Sequence, residues 1–227
     1  VKAVIFDLDD TLYPEKQYIE SGFKHIAKIL NHETNIDKDK IYNDLLNIFE
    51  QDSRNVFNNL LKKYNIDYTD DRIMKLVNDY RGHLPKISFY DDVIPCLHNL
   101  KHKGIKTGII TDGYLVSQRQ KINALKAYDY FDKIILTDEL GREFWKPHPK
   151  AFELMKEALS ISFEEMMYIG DNPEKDFYIS EVYPIITVRI NRDGVYKNNS
   201  YLNGIKERYR IYSLLEVNKI VNQLLSI

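Results

Sequence analysis

Short apolar runs spaced along the chain constrain its fold more than any other feature. They cover residues 3–7 (AVIFD), 107–112 (TGIITD), 133–138 (KIILTD), 166–171 (MMYIGD) and 185–190 (IITVRI), and four of them end in aspartate. Each is rich in Ile and Val with little polar alternation, the pattern of strands covered on both faces. Helical patterns lie between them: residues 91–103 run up to Gly104, 115–126 follow the second run, and Pro149 precedes Phe152, Met155 and Leu159 at helical spacing. Asn172-Pro173 reads as the cap and first position of another helix, where the missing proline N–H costs nothing. A last helix carries Leu214, Val217, Val221 and Leu224 on one face. Strands alternating with helices predict an α/β fold with a doubly wound parallel sheet.

One stretch breaks the alternation. Between Tyr13 and Ser88 the pattern is helical throughout, with stripes at Ile19, Phe23, Ile26 and Leu30, then Leu45, Ile48 and Phe49, then Leu60, Leu61 and Tyr64, and then Ile73, Leu76, Val77 and Tyr80. This predicts a four-helix insertion, a small second domain over 14–88 set into a core domain of 1–13 and 89–227. A chain of 227 residues that is 44% hydrophobic can bury such a core.

Composition narrows the function classes. A net charge of −2 argues against non-specific nucleic-acid binding. No apolar run approaches the roughly 20 residues that span a bilayer, and no signal-peptide pattern opens the chain. The single cysteine, Cys96, lies in an apolar helical pattern with Val93, Leu97 and Leu100 and reads as a small buried hydrophobe. Together these point to the cytoplasm. Val1 stands almost directly on a strand, which fits either loss of an initiator or a module of a longer protein.

In open parallel sheets, ligands bind outside the carboxyl ends of the strands. Asp7, Asp9, Thr111, Asp171 and Asp176 should therefore meet, joined by Lys146 from the segment after the third run. Converging carboxylates repel unless a cation neutralises them. An all-oxygen set without a His or Cys cluster favours Mg²⁺ over zinc. A cation, a lysine and a hydroxyl together suit a phosphate dianion.

These residues carry a resemblance. Residues 7–12 (DLDDTL) after an apolar strand, Thr111 in IITDG, Lys146 in WKPHP and the GDNPEKD run over 170–176 resemble, in order, the four signatures of the haloacid dehalogenase superfamily. The helical insertion is similar to that family's helical cap, so the likeness covers nearly the whole chain. It implies a Rossmann-like catalytic core with a cap, and a Mg²⁺-dependent phosphatase. Asp7 would be the nucleophile, carrying the phosphoryl group as an aspartyl-phosphate. Asp9 would protonate the leaving oxygen and then activate water, a role that calls for an elevated pKa. Asp7, Asp171 and the backbone carbonyl of Asp9 would hold the metal. Thr111, with the N–H groups of Asp112 and Gly113, would bind the phosphoryl oxygens, and Lys146 would neutralise the nucleophile and the transferring group. Asp176 would either orient Lys146 or bind a metal-bound water.

Other residues have plainer readings. Asp10 and Thr11 read as turn residues, Trp145 as packing, and Lys62, Lys63, Arg72 and Arg81 as a solvated face. His102 and His148 have no part in this chemistry. Asp112 is an unexpected neighbour for a dianion, and its side chain must turn away or carry a proton. Asp9 favours phosphate chemistry over dehalogenation, since a departing halide needs no proton. A phosphomutase with the same nucleophile, or a non-catalytic binding module of the same fold, are the alternatives. A cap closing over the site favours a small phosphorylated metabolite, a sugar phosphate or a nucleotide, over a phosphoprotein.

Overall fold

The computed structural model describes residues 1–194, 196 and 198–225. The chain divides into two compact units, Val1–Glu15 with Ser88–Ile227, and Lys16–Ile87.

The first unit is built on a six-stranded sheet of β1 (Ala3–Phe6), β2 (Lys106–Thr111), β3 (Lys133–Leu136), β4 (Met166–Gly170), β5 (Ile186–Ile190) and β6 (Tyr209–Ile211), in the order β3-β2-β1-β4-β5-β6. Every neighbouring pair is parallel. This is a doubly wound α/β sheet, and its strand order reverses direction at β1 and β4, where such folds open a ligand crevice. The lack of alternation in the apolar runs has a direct cause: β1, β4 and β5 are buried at every residue. One face of the sheet packs Ile5, Ile110, Ile135 and Tyr168 against Phe152, Met155 and Leu159 of a helix over Lys150–Leu159. At Gly108 a Cβ would come within 2.8 Å of the Met155 sulfur, so the glycine lets this helix side chain pack directly on the strand.

Helices over Val93–His102 and Leu115–Ala124 fall where the sequence pattern predicts them. Two elements differ. β6 has no counterpart among the apolar runs, because an edge strand of three residues with an exposed centre carries no continuous apolar signal. Asn172-Pro173 does not open a helix; the backbone turns there, and only Ile179–Val182 is helical. Asn172 holds this turn by accepting the Glu174 N–H on its side chain and the Asp176 N–H on its carbonyl. Cys96 is buried, and burial pushes its thiol up to about 12, as expected of a structural cysteine. Among the described residues, no helix is long and apolar enough to cross a membrane.

The second unit is helical. Its helices are Glu15–Thr34 (which begins at the last residue of the first unit), Lys38–Gln51, Val56–Lys63 and Asp70–Gly82. Asp37 caps the second by accepting from the Asp39 and Lys40 N–H groups, and Thr69 caps the fourth through the Arg72 N–H. Phe23, Ile26, Leu30, Ile41, Leu45, Leu60, Leu61 and Leu76 form the core. Lys63 and Arg72 pair with Asp44 and Glu33 rather than standing free on a solvated face.

Candidate active site

Asp7 follows β1 directly, and its N–H extends the ladder by donating to the Ile169 carbonyl at 2.8 Å. Its carboxylate is therefore aimed from the sheet's carboxyl edge and is almost fully buried. Oδ1 of Asp7 accepts from Lys146 Nζ at 2.5 Å. The same ammonium donates to Asp176 Oδ1 at 2.8 Å and to the Tyr168 hydroxyl at 2.8 Å. Lys146 has a side chain with no exposure, and its charge is offset by two carboxylates. Burial disfavours the Lys146 ammonium, but Asp176 and Asp7 outweigh it and lift the pKa well above the ordinary lysine value. Burial raises Asp7 to about 6; Lys146 draws it down and Asp176 pushes it up.

Asp176 is saturated from three sides. Its Oδ1 receives Lys146 and Tyr168, and its Oδ2 accepts the Asn172 N–H at 2.9 Å. A Cβ at Gly170 would lie 2.3 Å from that Oδ2, so the glycine ending β4 lets Asp176 reach under the strand. Asp171 contrasts with it: no side chain among the described residues pairs with its carboxylate. Burial, then the nearby Asp7 and Asp176 charges, push Asp171 well above the ordinary carboxylate range. Oxygens of Asp7, Asp171 and Asp176 all lie within 4.8 Å of one another. One lysine cannot offset three carboxylates, so this group of hard oxygen donors fits a divalent cation such as Mg²⁺. Asp7 and Asp171 have the freer oxygens for it.

Asp9 departs from the environment expected of it. Its Oδ1 accepts from Tyr13 at 2.5 Å and from the buried Lys121 at 2.7 Å, and its Oδ2 from Gln118 Nε2 at 2.9 Å. Burial alone would raise its pKa; the Lys121 charge and the hydrogen bonds from Lys121, Tyr13 and Gln118 outweigh it and hold the carboxyl below the ordinary value. The expectation of an elevated Asp9 pKa is thus reversed. It is the half-buried Glu15, pushed up by partial desolvation and by the nearby Asp9 and Asp10 charges, that rises to about 7.

Thr111 ends β2, where its hydroxyl accepts from Gln118 Nε2 at 2.7 Å. Asp112 turns its side chain away from that hydroxyl. It accepts from the Thr137 hydroxyl at 2.8 Å, the Lys146 N–H at 3.1 Å and Lys175 Nζ at 3.0 Å. Burial raises Asp112, but Lys146, Lys175 and these hydrogen bonds win, and it is held ionised. Gly113 follows at φ +133°, a conformation that other residues rarely adopt. Asp10 sits at φ +52° and accepts the Glu15 N–H, as a turn residue does. The Thr11 hydroxyl, expected to stabilise that turn, is buried without a partner among the described residues. Trp145 stacks edge-on to Tyr114 and donates to Asp138, so it packs.

Asp7, Asp171, Asp176 and Lys146 thus form one cluster, and Asp9, Gln118, Thr111, Asp112 and Lys146 form a connected series beside it. Sequence reasoning missed Tyr13, Gln118, Lys121, Thr137, Tyr168 and Lys175. Lys175 had a readable signal, lying next to Asp176 in the same run, and Gln118 and Lys121 are one turn apart on the helix after Thr111.

A parallel sheet that gathers carboxylates, a lysine and a hydroxyl at its carboxyl edge has the donors and charges that suit a cation and an anionic substrate. The family model for haloacid dehalogenase-like hydrolases matches residues 4–182, and the chain belongs to that family. It is an enzyme, a phosphatase of this family. It is 32% identical to the glyceraldehyde 3-phosphate phosphatase of Methanocaldococcus jannaschii, over 99% of this chain and 98% of that protein. It is 31% identical to the protein of the same name from Methanopyrus kandleri, over 87% of each. Among solved structures, a HAD phosphatase from Thermococcus onnurineus superposes with a TM-score of 0.63 at 28% identity, over 97% of this chain and 98% of that one.

Proposed function

We propose that this protein is a Mg²⁺-dependent phosphatase that hydrolyses a small phosphorylated sugar through an aspartyl-phosphate on Asp7. The observation that carries this reading is the Lys146 ammonium held between Asp7 and Asp176, with the Asp171 carboxylate, which has no side-chain partner among the described residues, beside them. A carboxylate fixed by one lysine can attack in line without being quenched, because its second oxygen stays open. In the first step an Asp7 oxygen bonds to phosphorus, and the bond from phosphorus to the substrate oxygen breaks. That oxygen takes its proton from Asp9, which enters this step carrying the proton it accepted from water in the preceding turnover and leaves it ionised. In the second step Asp9 accepts a proton from water as the water oxygen attacks phosphorus, and the Asp7–phosphorus bond breaks to release phosphate. The ionised Asp9 of this structure has the form needed for that second step.

Thr111 and the N–H groups of Asp112 and Gly113 bind the phosphoryl oxygens, and Lys146 offsets the charge that builds on them. Asp7, Asp171 and the Asp9 carbonyl would hold the cation, and Asp176, which accepts from Lys146, Tyr168 and the Asn172 N–H, would orient Lys146 rather than serve as a ligand. The cation supplies charge neutralisation of the phosphoryl group when bound. The helical unit acts as the cap that selects the leaving group. A triose phosphate heads the candidate substrates, since two archaeal relatives of similar length are named for glyceraldehyde 3-phosphate. The single, buried cysteine supports a cytoplasmic setting.

Asp7→Asn tests the reading. Hydrolysis of p-nitrophenyl phosphate with Mg²⁺ should fall at least about 1,000-fold, as for loss of a nucleophile, and acid-quenched wild-type enzyme should carry labelled phosphate that the variant lacks. Undiminished Mg²⁺-dependent turnover by the variant would rule out Asp7 as the nucleophile. A panel of sugar phosphates and nucleotides identifies the substrate.

A further inference from the structure

Gln118 is the residue in this site that the family signatures do not assign and the geometry singles out. It is 1% exposed, on the first turns of the helix that follows the phosphate-binding loop. Its amide nitrogen makes two hydrogen bonds at once, to Asp9 Oδ2 at 2.9 Å and to Thr111 Oγ1 at 2.7 Å. The amide orientation follows from the contacts: with Lys121 and Tyr13 already donating to Oδ1 of Asp9, the free oxygen Oδ2 is met by the NH₂ end, which also donates to the Thr111 hydroxyl. Both amide hydrogens are therefore spent on residues that lie 102 positions apart in the chain, so the side chain ties the ends of β1 and β2 together.

We propose that Gln118 is a positioning residue for phosphoryl transfer, setting the Thr111 hydroxyl as a donor and the Asp9 carboxylate as the proton carrier. The inference rests on the roles proposed above for Thr111 and Asp9. A hydroxyl has one hydrogen and two lone pairs. With Gln118 donating to one lone pair, the Thr111 hydrogen is directed elsewhere. Among the described residues the hydroxyl donates to the Asp112 carbonyl at 3.4 Å, a long contact that a phosphoryl oxygen would displace. At Asp9, Lys121 and Tyr13 both hold Oδ1, so among the described residues Gln118 is the one that holds Oδ2 and stops the carboxylate from rotating about its axis.

Gly113 supports the same assignment from the opposite side. A Cβ there would lie 2.9 Å from Gln118 Cδ and 3.0 Å from its Oε1. The glycine of the phosphate loop thus leaves space for this amide as well as permitting φ +133°.

The test compares wild type, Gln118→Met and Gln118→Asn; methionine keeps the volume without the donors, and asparagine keeps the amide but is too short to span both partners. Turnover is measured on an alkyl phosphate, whose leaving oxygen needs a proton, and on p-nitrophenyl phosphate, whose leaving group departs as an anion. Inhibition by orthovanadate reports the phosphoryl pocket. For each folded variant, kcat/KM on the alkyl phosphate should fall roughly 30- to 100-fold, within the range for impaired general acid–base catalysis. The loss on the aryl phosphate should be several-fold smaller, and vanadate should inhibit more weakly. Equal losses on both substrates with unchanged vanadate inhibition, or no loss at all, would overturn the positioning role. Asp7→Asn is run alongside. An active Asp7→Asn would overturn the underlying mechanism and this inference with it, whereas an inactive one with uniform Gln118 losses would overturn the positioning role alone.

Discussion

Replacing Lys146 with methionine removes a charge but little volume, and so isolates what the buried ammonium contributes. Lys146 Nζ lies 2.5 Å from an Asp7 oxygen and 2.8 Å from an Asp176 oxygen, with no side-chain exposure. At an effective dielectric of about 20, each contact amounts to roughly 6 kcal/mol of attraction. Desolvating the ammonium and the carboxylates cancels much of this, at several kcal/mol per ion. The variant, however, keeps the buried carboxylates and loses their counter-charge, and breaking a buried pair from one side typically costs about 3–5 kcal/mol. For a chain of this size that corresponds to a midpoint lowered by roughly 6–20 °C. Thermal denaturation followed by circular dichroism checks it, with EDTA present so that no divalent cation substitutes for the ammonium. A midpoint unchanged from wild type would refute the reasoning, because it would mean that Asp7 and Asp176 do not depend on Lys146 for neutralisation.

Two further outcomes test other parts of the molecule. Asp92 accepts two hydrogen bonds from Arg192, at 2.7 and 3.0 Å, and one each from the Ser213 hydroxyl and the Leu214 N–H. Burial raises its pKa, but these donors outweigh it and hold the carboxyl below its ordinary value. A carboxyl whose folded pKa is depressed adds stability above its unfolded pKa of about 3.9 and loses it as pH falls through the folded value. Asp92→Asn should therefore destabilise by about 2 kcal/mol at neutral pH, and urea titrations should show that gap closing below roughly pH 4; a pH-independent gap would count against the ion pair. In the helical unit, a Cβ at Gly22 would lie 2.3 Å from Tyr80 Cε2, and the Tyr80 ring is held by contacts with Phe23, Phe57 and Tyr18. Gly22→Ala should cost about 1–2 kcal/mol by overpacking, despite the better helix propensity of alanine; a raised melting midpoint would show that the ring yields.

Much of this fold is legible in the order of residues alone. Burial on both faces leaves strands no polar positions, so residues 3–7, 107–112 and 166–171 signal a parallel sheet. Its topology then brings Asp7, Lys146, Asp171 and Asp176 together, because loops at one edge of such a sheet converge. The helical stripes from Ile19 to Tyr80 are equally plain, since a core of four helices repeats its apolar residues at helical spacing. The turn after Asn172 is not legible, because Asn-Pro is equally suited to capping a helix, and what accompanies the turn is the contact of Asp176 with Lys146, a partner 30 residues away.

The class of chemistry is written in the chain order, through the residue types that stand at strand ends and their succession. The electrostatic state of those residues is a product of tertiary contacts. Asp9 is held ionised by Lys121 and Gln118, which stand 112 and 109 residues from it. Asp112 is turned away from the Thr111 hydroxyl by Thr137, Lys175 and the Lys146 N–H. A pKa is set by the charges and donors within a few ångströms, and chain order does not record which distant residues those are.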